Sequence, residues 1–203
     1  GSAFSYVKSI EAFGPGGKNI AKTGLWMTFD NHTEQAASLL LLDTQTNYVV
    51  VNNLKDWSDL EVIVIPSKPN LNDEDAKALN QFVIDGGKLL VLGEGALKRD
   101  KSGFALDVGG TYLGNASYDV DYTVVSEALS KNVVQSPFLN YIPAIKIKPE
   151  ADVKLLASIR EPYFSRTKAH YTSHQNTPYN LESAKHPAIY RDCLLYTSDA
   201  ADD

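Results

Sequence analysis

Glu94 stands between glycines in Gly93-Glu94-Gly95-Ala96, directly after the apolar run 88–92 (KLLVL). The pattern reads as a tight turn leading from a strand into a helix. Such a turn lifts its central residue out at the carboxyl edge of an α/β sheet, where these folds place their sites. A carboxylate is a poor acyl-transfer nucleophile unless a neighbour activates it, and the same motif serves equally well as a turn kept for folding. Asp30 and Asp59 fall near other strand ends. With Glu94 they could supply the two carboxyls that glycoside hydrolysis needs. No spacing selects a pair among the three, and solvated loop acids look the same.

A second constellation is Arg166, His170 and His174, an i, i+4, i+8 series in RTKAHYTSH. On a helix the three would share a face, and HxxxH can bind zinc. No acidic third ligand is near, and Thr172, Ser173, Asn176 and Pro178 point to a loop instead. Segment 162–180 (PYFSRTKAHYTSHQNTPYN) is therefore expected to be a long loop with at most one helical turn. Tyr163, Phe164 and Tyr171 give it ring faces that suit sugar stacking and interface packing alike. The loop is open to three readings: packed on a neighbouring domain or subunit and reaching its sugar site, solvated, or metal-binding. His32 is expected at the start of a helix and His186 in a loop. The glycines of residues 14–17 do not form a phosphate-binding GxGxxG, and the sequence points to no cofactor and no metal.

The elements that must position these residues are clearest between 60 and 92. Residues 60–66 are apolar with β-branched Val62, Ile63, Val64 and Ile65, which suits a strand covered on both faces. Asn72 can cap the next helix, with Asp73, Glu74 and Asp75 loading its first turn against the positive end of the dipole. Ala76, Leu79, Phe82 and Val83 share one helical face. Gly86-Gly87 stops the helix, and residues 88–92 return as a strand. Upstream, residues 20–29 read as the first core strand. Asn31 with Glu34 makes a capping-box start for a helix over 32–43, with Ala36, Leu39 and Leu40 facing inward. Residues 48–51 form a second strand, and residues 54–60 a connector with room for a single turn. This β-α-β-β-α-β series implies an α/β fold, a flavodoxin-like or amidotransferase-like doubly wound parallel sheet with helices on both faces. After Ala96, residues 104–114 resemble a helical turn and a glycine bend. Strands are expected at 121–125, 144–147 and 153–159, extending the sheet or starting a small β-rich C-terminal extension.

With 203 residues, 43% of them hydrophobic and 22% charged, the chain can bury a sizeable core. A net charge of -6 argues against a nucleic-acid surface, which shows a basic stripe. No apolar run approaches the roughly 20 residues of a membrane span. Neither nucleic acid nor membrane is an expected partner. Residues 4–12 read as the tail of a helix, with Phe4, Val7 and Ile10 on one side, and residues 14–17 as a linker. The expected division is 1–18, the end of an upstream helix and its linker, then a domain over 19–192. The tail 193–203 (CLLYTSDAADD) resembles the translation of a sequencing-library transposase adapter, and Cys193, the only cysteine, is then not native.

Residues 19–191 resemble the class I glutamine-amidotransferase-like domain that follows the catalytic barrel in bacterial glycoside hydrolases, of the β-galactosidase trimerisation-domain type. The stretches carrying the resemblance are GLWMTFDNHTEQ, LEVIVIPSKPNLNDEDAKALNQFVIDGGKLLVLGEGA and PYFSRTKAHYTSHQNTP. The middle one also suits other amidotransferase-like families, including the trehalose-utilisation type. In the amidotransferases the elbow reads Gly-x-Cys-x-Gly and its cysteine is the nucleophile. Glu94 occupies that position here, so the resemblance implies a degenerate elbow without amidotransferase activity. It further implies a non-catalytic accessory and oligomerisation domain that walls a neighbour's active site, with the upstream catalytic barrel of the same chain and further copies of itself as partners. A carbohydrate-binding module, or a hydrolase with an atypical elbow at Glu94, are the alternatives.

Overall fold

A computed structural model of the chain describes residues 2–14, 16–17, 19–29, 32–52, 57–183 and 186–192. Helix α1 (Ser2–Ile10) and a 3-10 turn (Glu11–Phe13) precede the sheet. Among the described residues, β1 (Thr23–Trp26), β2 (Tyr48–Val51), β3 (Val62–Ile65) and β4 (Lys88–Val91) form a parallel sheet in the order β2-β1-β3-β4. The two central strands bury Leu25, Trp26, Ile63, Val64 and Ile65. Side chains alternate across a strand. Leu25 and Val64 therefore meet Ala37 and Leu41 of α2 (His32–Asp43), while Trp26, Ile63 and Ile65 meet Ala76 and Leu79 of α3 (Asp73–Ile84) on the opposite face. This is the doubly wound parallel sheet that the alternation implies. On the α3 face the rings of Trp26, Trp57 and Phe82 meet edge to face, 5.9 and 6.1 Å apart.

Helix α3 begins and ends where its residues require. The Asn72 side chain accepts from the Asp75 N–H (2.8 Å), and Asp75 Oδ2 accepts from the Asn72 N–H (3.2 Å), a reciprocal capping box. Gly86, at φ +98°, supplies the left-handed residue that stops the helix.

Helix α2 has the expected length and a different inner face. Ala36, Leu39 and Leu40 point outward, and Glu34, Ala37 and Leu41 are buried. Four consecutive leucines give hydropathy no phase, and the rotation is set by a polar group instead. Glu34 Oε1 accepts from the Thr28 N–H (2.7 Å) and the Thr28 hydroxyl (2.8 Å), and Oε2 accepts from the Phe29 N–H (2.8 Å). The carboxylate closes the backbone donors left open where β1 ends, which also explains why the strand is shorter than 20–29. Asp30, Asn31, residues 53–56 and the tail 193–203 lie outside the described residues.

Residues 104–114 form no helical turn. Phe104 bridges back to Leu97, and Asn80 of α3 clamps the segment by donating to the Ala105 carbonyl (3.1 Å) and accepting from the Asp107 N–H (2.9 Å). Leu106 is thereby buried in the α3-side core. The segment runs into β5 (Gly110–Gly114). Strand β6 (Asp121–Val125) and the short helix α4 (Glu127–Ser130) follow, then β7 (Phe138–Asn140), β8 (Lys146–Pro149), β9 (Lys154–Arg160) and β10 (His186–Arg191). These strands do not extend the parallel sheet. They form an antiparallel sheet in the order β10-β9-β6-β7 and a β5–β8 pair. His186 opens β10 opposite Ile159 rather than lying in a loop. Pro187 disguises this strand in the sequence, and it is tolerated because β10 is at the sheet edge.

Glu34→Gln should destabilise the domain by roughly 2 kcal/mol and Glu34→Ala by somewhat more, because buried donors would face an amide or nothing. Thr28→Val, which removes one donor together with its bond, should cost about 1 kcal/mol. Urea unfolding midpoints test this order, and an unchanged midpoint for Glu34→Gln would contradict it.

Candidate functional site

With the order β2-β1-β3-β4, the chain leaves β1 toward one face of the sheet and β3 toward the other. The direction of winding reverses between the carboxyl ends of these two strands, the usual ligand position in doubly wound folds. Phe29 lies on the β1 side with φ 63° and 74% of its surface exposed. A bulky residue in the left-handed region is strained and has to be held there; Glu34 does so through the Phe29 N–H. From the β3 side, the Lys68 N–H donates to Thr33 Oγ1 (3.1 Å), and Trp26 Nε1 donates to the Pro69 carbonyl (3.1 Å). These bonds tie the end of β3 to β1 and α2.

The glycine-framed turn follows β4 on the same edge. Gly93 has φ +50°, and a Cβ there would lie 2.2 Å from Ser67 Oγ; a Cβ on Gly95 would lie 2.5 Å from the Pro66 carbonyl. Both glycines are needed because the turn sits directly on the end of β3. Between them, the Glu94 N–H donates to Ser67 Oγ (3.3 Å), and Glu94 Oε1 accepts from Lys101 Nζ (2.8 Å). Hydrogen bonding and attraction to this carboxylate raise the Lys101 pKa. No helix follows. Residues 93–96 lead through turns to the Leu97–Phe104 bridge, so the strand-to-helix expectation is replaced by a strand-to-turn connection. Glu94 thus engages an ammonium and a turn rather than a base able to activate it. Phe29, Ser67 and Lys101 were not legible as site residues, since each gains its position from contacts distant in sequence.

Of the three carboxylates, Asp30 lies outside the described residues, and Asp59 and Glu94 do not come together. Asp59 lies in the turn ahead of β3, where its carbonyl accepts from Lys22 Nζ (3.2 Å), and Glu94 follows β4. In a parallel sheet these are opposite edges, separated by a four-residue strand of about 13 Å.

Residues 162–180 are a loop closed at its neck. Pro162 bridges Tyr179, the Tyr163 N–H donates to the Pro178 carbonyl (3.2 Å), and the Asn180 N–H donates to the Glu161 carbonyl (2.8 Å). The Tyr122 hydroxyl of β6 donates to the buried Thr177 carbonyl (2.7 Å). At the tip, Arg166, His170 and His174 share no helical face. The Arg166 guanidinium donates across the loop to the Gln175 carbonyl. The His170 ring stacks on Phe164, with centroids 3.6 Å apart, and its carbonyl accepts from the Thr167 N–H (2.8 Å). The His174 carbonyl accepts from Thr172 Oγ1 (3.2 Å), and Tyr171 is 67% exposed. Among the described residues, no three His, Cys, Asp or Glu side chains converge as metal ligands.

Beneath the neck, Glu161 lies 3.2 Å from Lys146 Nζ and 3.9 Å from His186 Nε2, around a cavity of about 10 Å³. That volume admits nothing larger than a water molecule. These side chains bring together β8, the end of β9 and the start of β10, and no local pattern could pair residues so far apart in sequence.

No family model matches the sequence, and no curated protein matches it. Solved structures do. The chain is similar to part of α-L-fucosidase isoenzyme 2 from Paenibacillus thiaminolyticus, with a TM-score of 0.84 and 22% identity, over 94% of this chain and 30% of that one. It is similar to part of a β-galactosidase from Rahnella sp. R3, with a TM-score of 0.62 and 14% identity, over 79% of this chain and 28% of that one. A ThuA-like protein from Bacteroides uniformis matches with a TM-score of 0.50 and 13% identity, over 88% of this chain and 81% of that one. The chain therefore spans less than a third of the length of either glycosidase. What it shares at these identities is the fold, an amidotransferase-like α/β architecture that glycoside hydrolases also carry as one part of a longer chain.

Proposed function

We propose that this chain is a non-catalytic accessory domain of a multidomain glycoside hydrolase. In this reading it packs against a (β/α)8 catalytic domain, helps wall the active site and contributes to contacts between copies of the enzyme. The observation that carries the reading is the face of α1. Phe4 is 83% exposed and Val7 59% exposed, Ile10 continues their row, and the helix buries no residue against the described domain. A nine-residue helix is marginal in water by itself, and an apolar row of this kind is normally covered by a partner. Sharing its fold with parts of much longer glycosidases supplies the class of partner. The engagement of Glu94 by Lys101 supports a structural elbow rather than a reactive one.

The uninterrupted gene is expected to encode a (β/α)8 domain ahead of Ala3. Co-expressed with that domain, this chain should co-purify with it, and Phe4→Asp with Val7→Asp should release it while leaving its own melting temperature unchanged. A reading frame starting near residue 1, or continued binding by the double variant, would sink the reading. Glu94→Ala should leave glycosidase activity of the intact enzyme within about twofold, because removing an exposed ion pair costs at most about 1 kcal/mol. A loss of turnover beyond that would return the elbow to the chemistry.

A further inference from the structure

The tip of the 162–180 loop differs in composition from the rest of the molecule. The chain carries a net charge of -6, yet between residues 162 and 180 there is no Asp and no Glu, while Arg166 and Lys168 are both cations. Among the described residues, neither pairs with a carboxylate. The same stretch holds no Leu, Ile, Val or Met. Its surface is made of rings (Tyr163, Phe164, His170, Tyr171) and short hydroxyl and amide side chains. The closed neck, the Arg166 bond to Gln175 and the Phe164–His170 stack give the tip a defined shape. One of the five guanidinium N–H donors is used in that bond, so the group can still hold a planar anion.

We propose that this tip binds an acidic glycan, a saccharide bearing carboxylate or sulfate groups, with Arg166 and Lys168 receiving the anions and Tyr171 offering a stacking face. Rings and arginine also suit a protein interface, and the acidic-polypeptide arm of the test below separates that outcome. A nucleic acid would call for a wider basic stripe, which a chain of this charge does not provide. Hydroxyl and amide groups beside rings and cations suit sugar hydroxyls, ring faces and acid groups together. The choice of a glycan rests in part on the accessory-domain reading; the anionic character rests on the loop alone.

Affinity electrophoresis of the full chain tests this in gels containing polygalacturonate, sulfated galactan, neutral galactan or polyglutamate. Retardation by either acidic glycan supports the proposal, and the stronger of the two identifies the acid group. The effect should weaken as salt is raised. Arg166→Glu with Lys168→Glu should weaken binding about tenfold or more at an unchanged melting temperature, and Tyr171→Ala should weaken it without altering the salt dependence. Equal retardation by neutral galactan or by polyglutamate, no retardation by either acidic glycan, or full binding by the charge-reversed variant would overturn it. Co-purification with the catalytic domain through α1 is a separate readout. Lost glycan binding with intact co-purification sinks this proposal alone, and the converse sinks the accessory reading alone.

Discussion

The buried carboxylate of Glu34 fixes how the parallel half of the molecule is assembled. A charge taken out of water is tolerated only when it is fully hydrogen-bonded, and Glu34 meets that condition with donors from Thr28 and Phe29. This bonding rotates α2 so that Ala37 and Leu41, rather than the neighbouring leucines, meet Leu25 and Val64. It also ends β1 and holds Phe29 in its left-handed conformation at the carboxyl edge of the sheet. One polar side chain thereby couples helix rotation, sheet packing and the shape of the carboxyl edge.

The sequence was informative where local signals agree. Residues 60–92 combine a β-branched run, an Asn cap, an acidic first turn and a double-glycine stop, and each feature appears in β3, α3 and β4 where its chemistry puts it. The signals failed where a distant contact decides. Nothing around residues 39–42 reveals that Glu34 rotates the helix. Nothing around Phe104 reveals the clamp from Asn80, and Pro187 conceals an edge strand. At the site, the sequence located the Gly93–Gly95 turn and the 162–180 loop, but not the helix missing after the first or the Phe164–His170 stack within the second.

The elbow separates architecture from chemistry. Its glycines are fixed by contact with Ser67 and Pro66, whatever residue stands between them. Packing alone accounts for the two glycines. The residue between them here is a glutamate tied to Lys101. A glycine pattern at a strand end is therefore a statement about backbone approach first, and about catalysis only once an activating neighbour is found.

The two unusual surfaces of the chain are opposite in kind, and that contrast bears on what each could meet. Helix α1 offers an exposed row of Phe, Val and Ile, whose burial is driven by the area removed from water and is largely indifferent to salt. The 162–180 tip holds no Leu, Ile, Val or Met, and its cations would act through charge, which salt screens. A single protein interface would mix the two, with an apolar centre inside a polar rim. Here they occur on separate elements, α1 before the first strand of the sheet and the loop between β9 and β10. A packed neighbour on one and a polar ligand on the other is the arrangement that matches both chemistries.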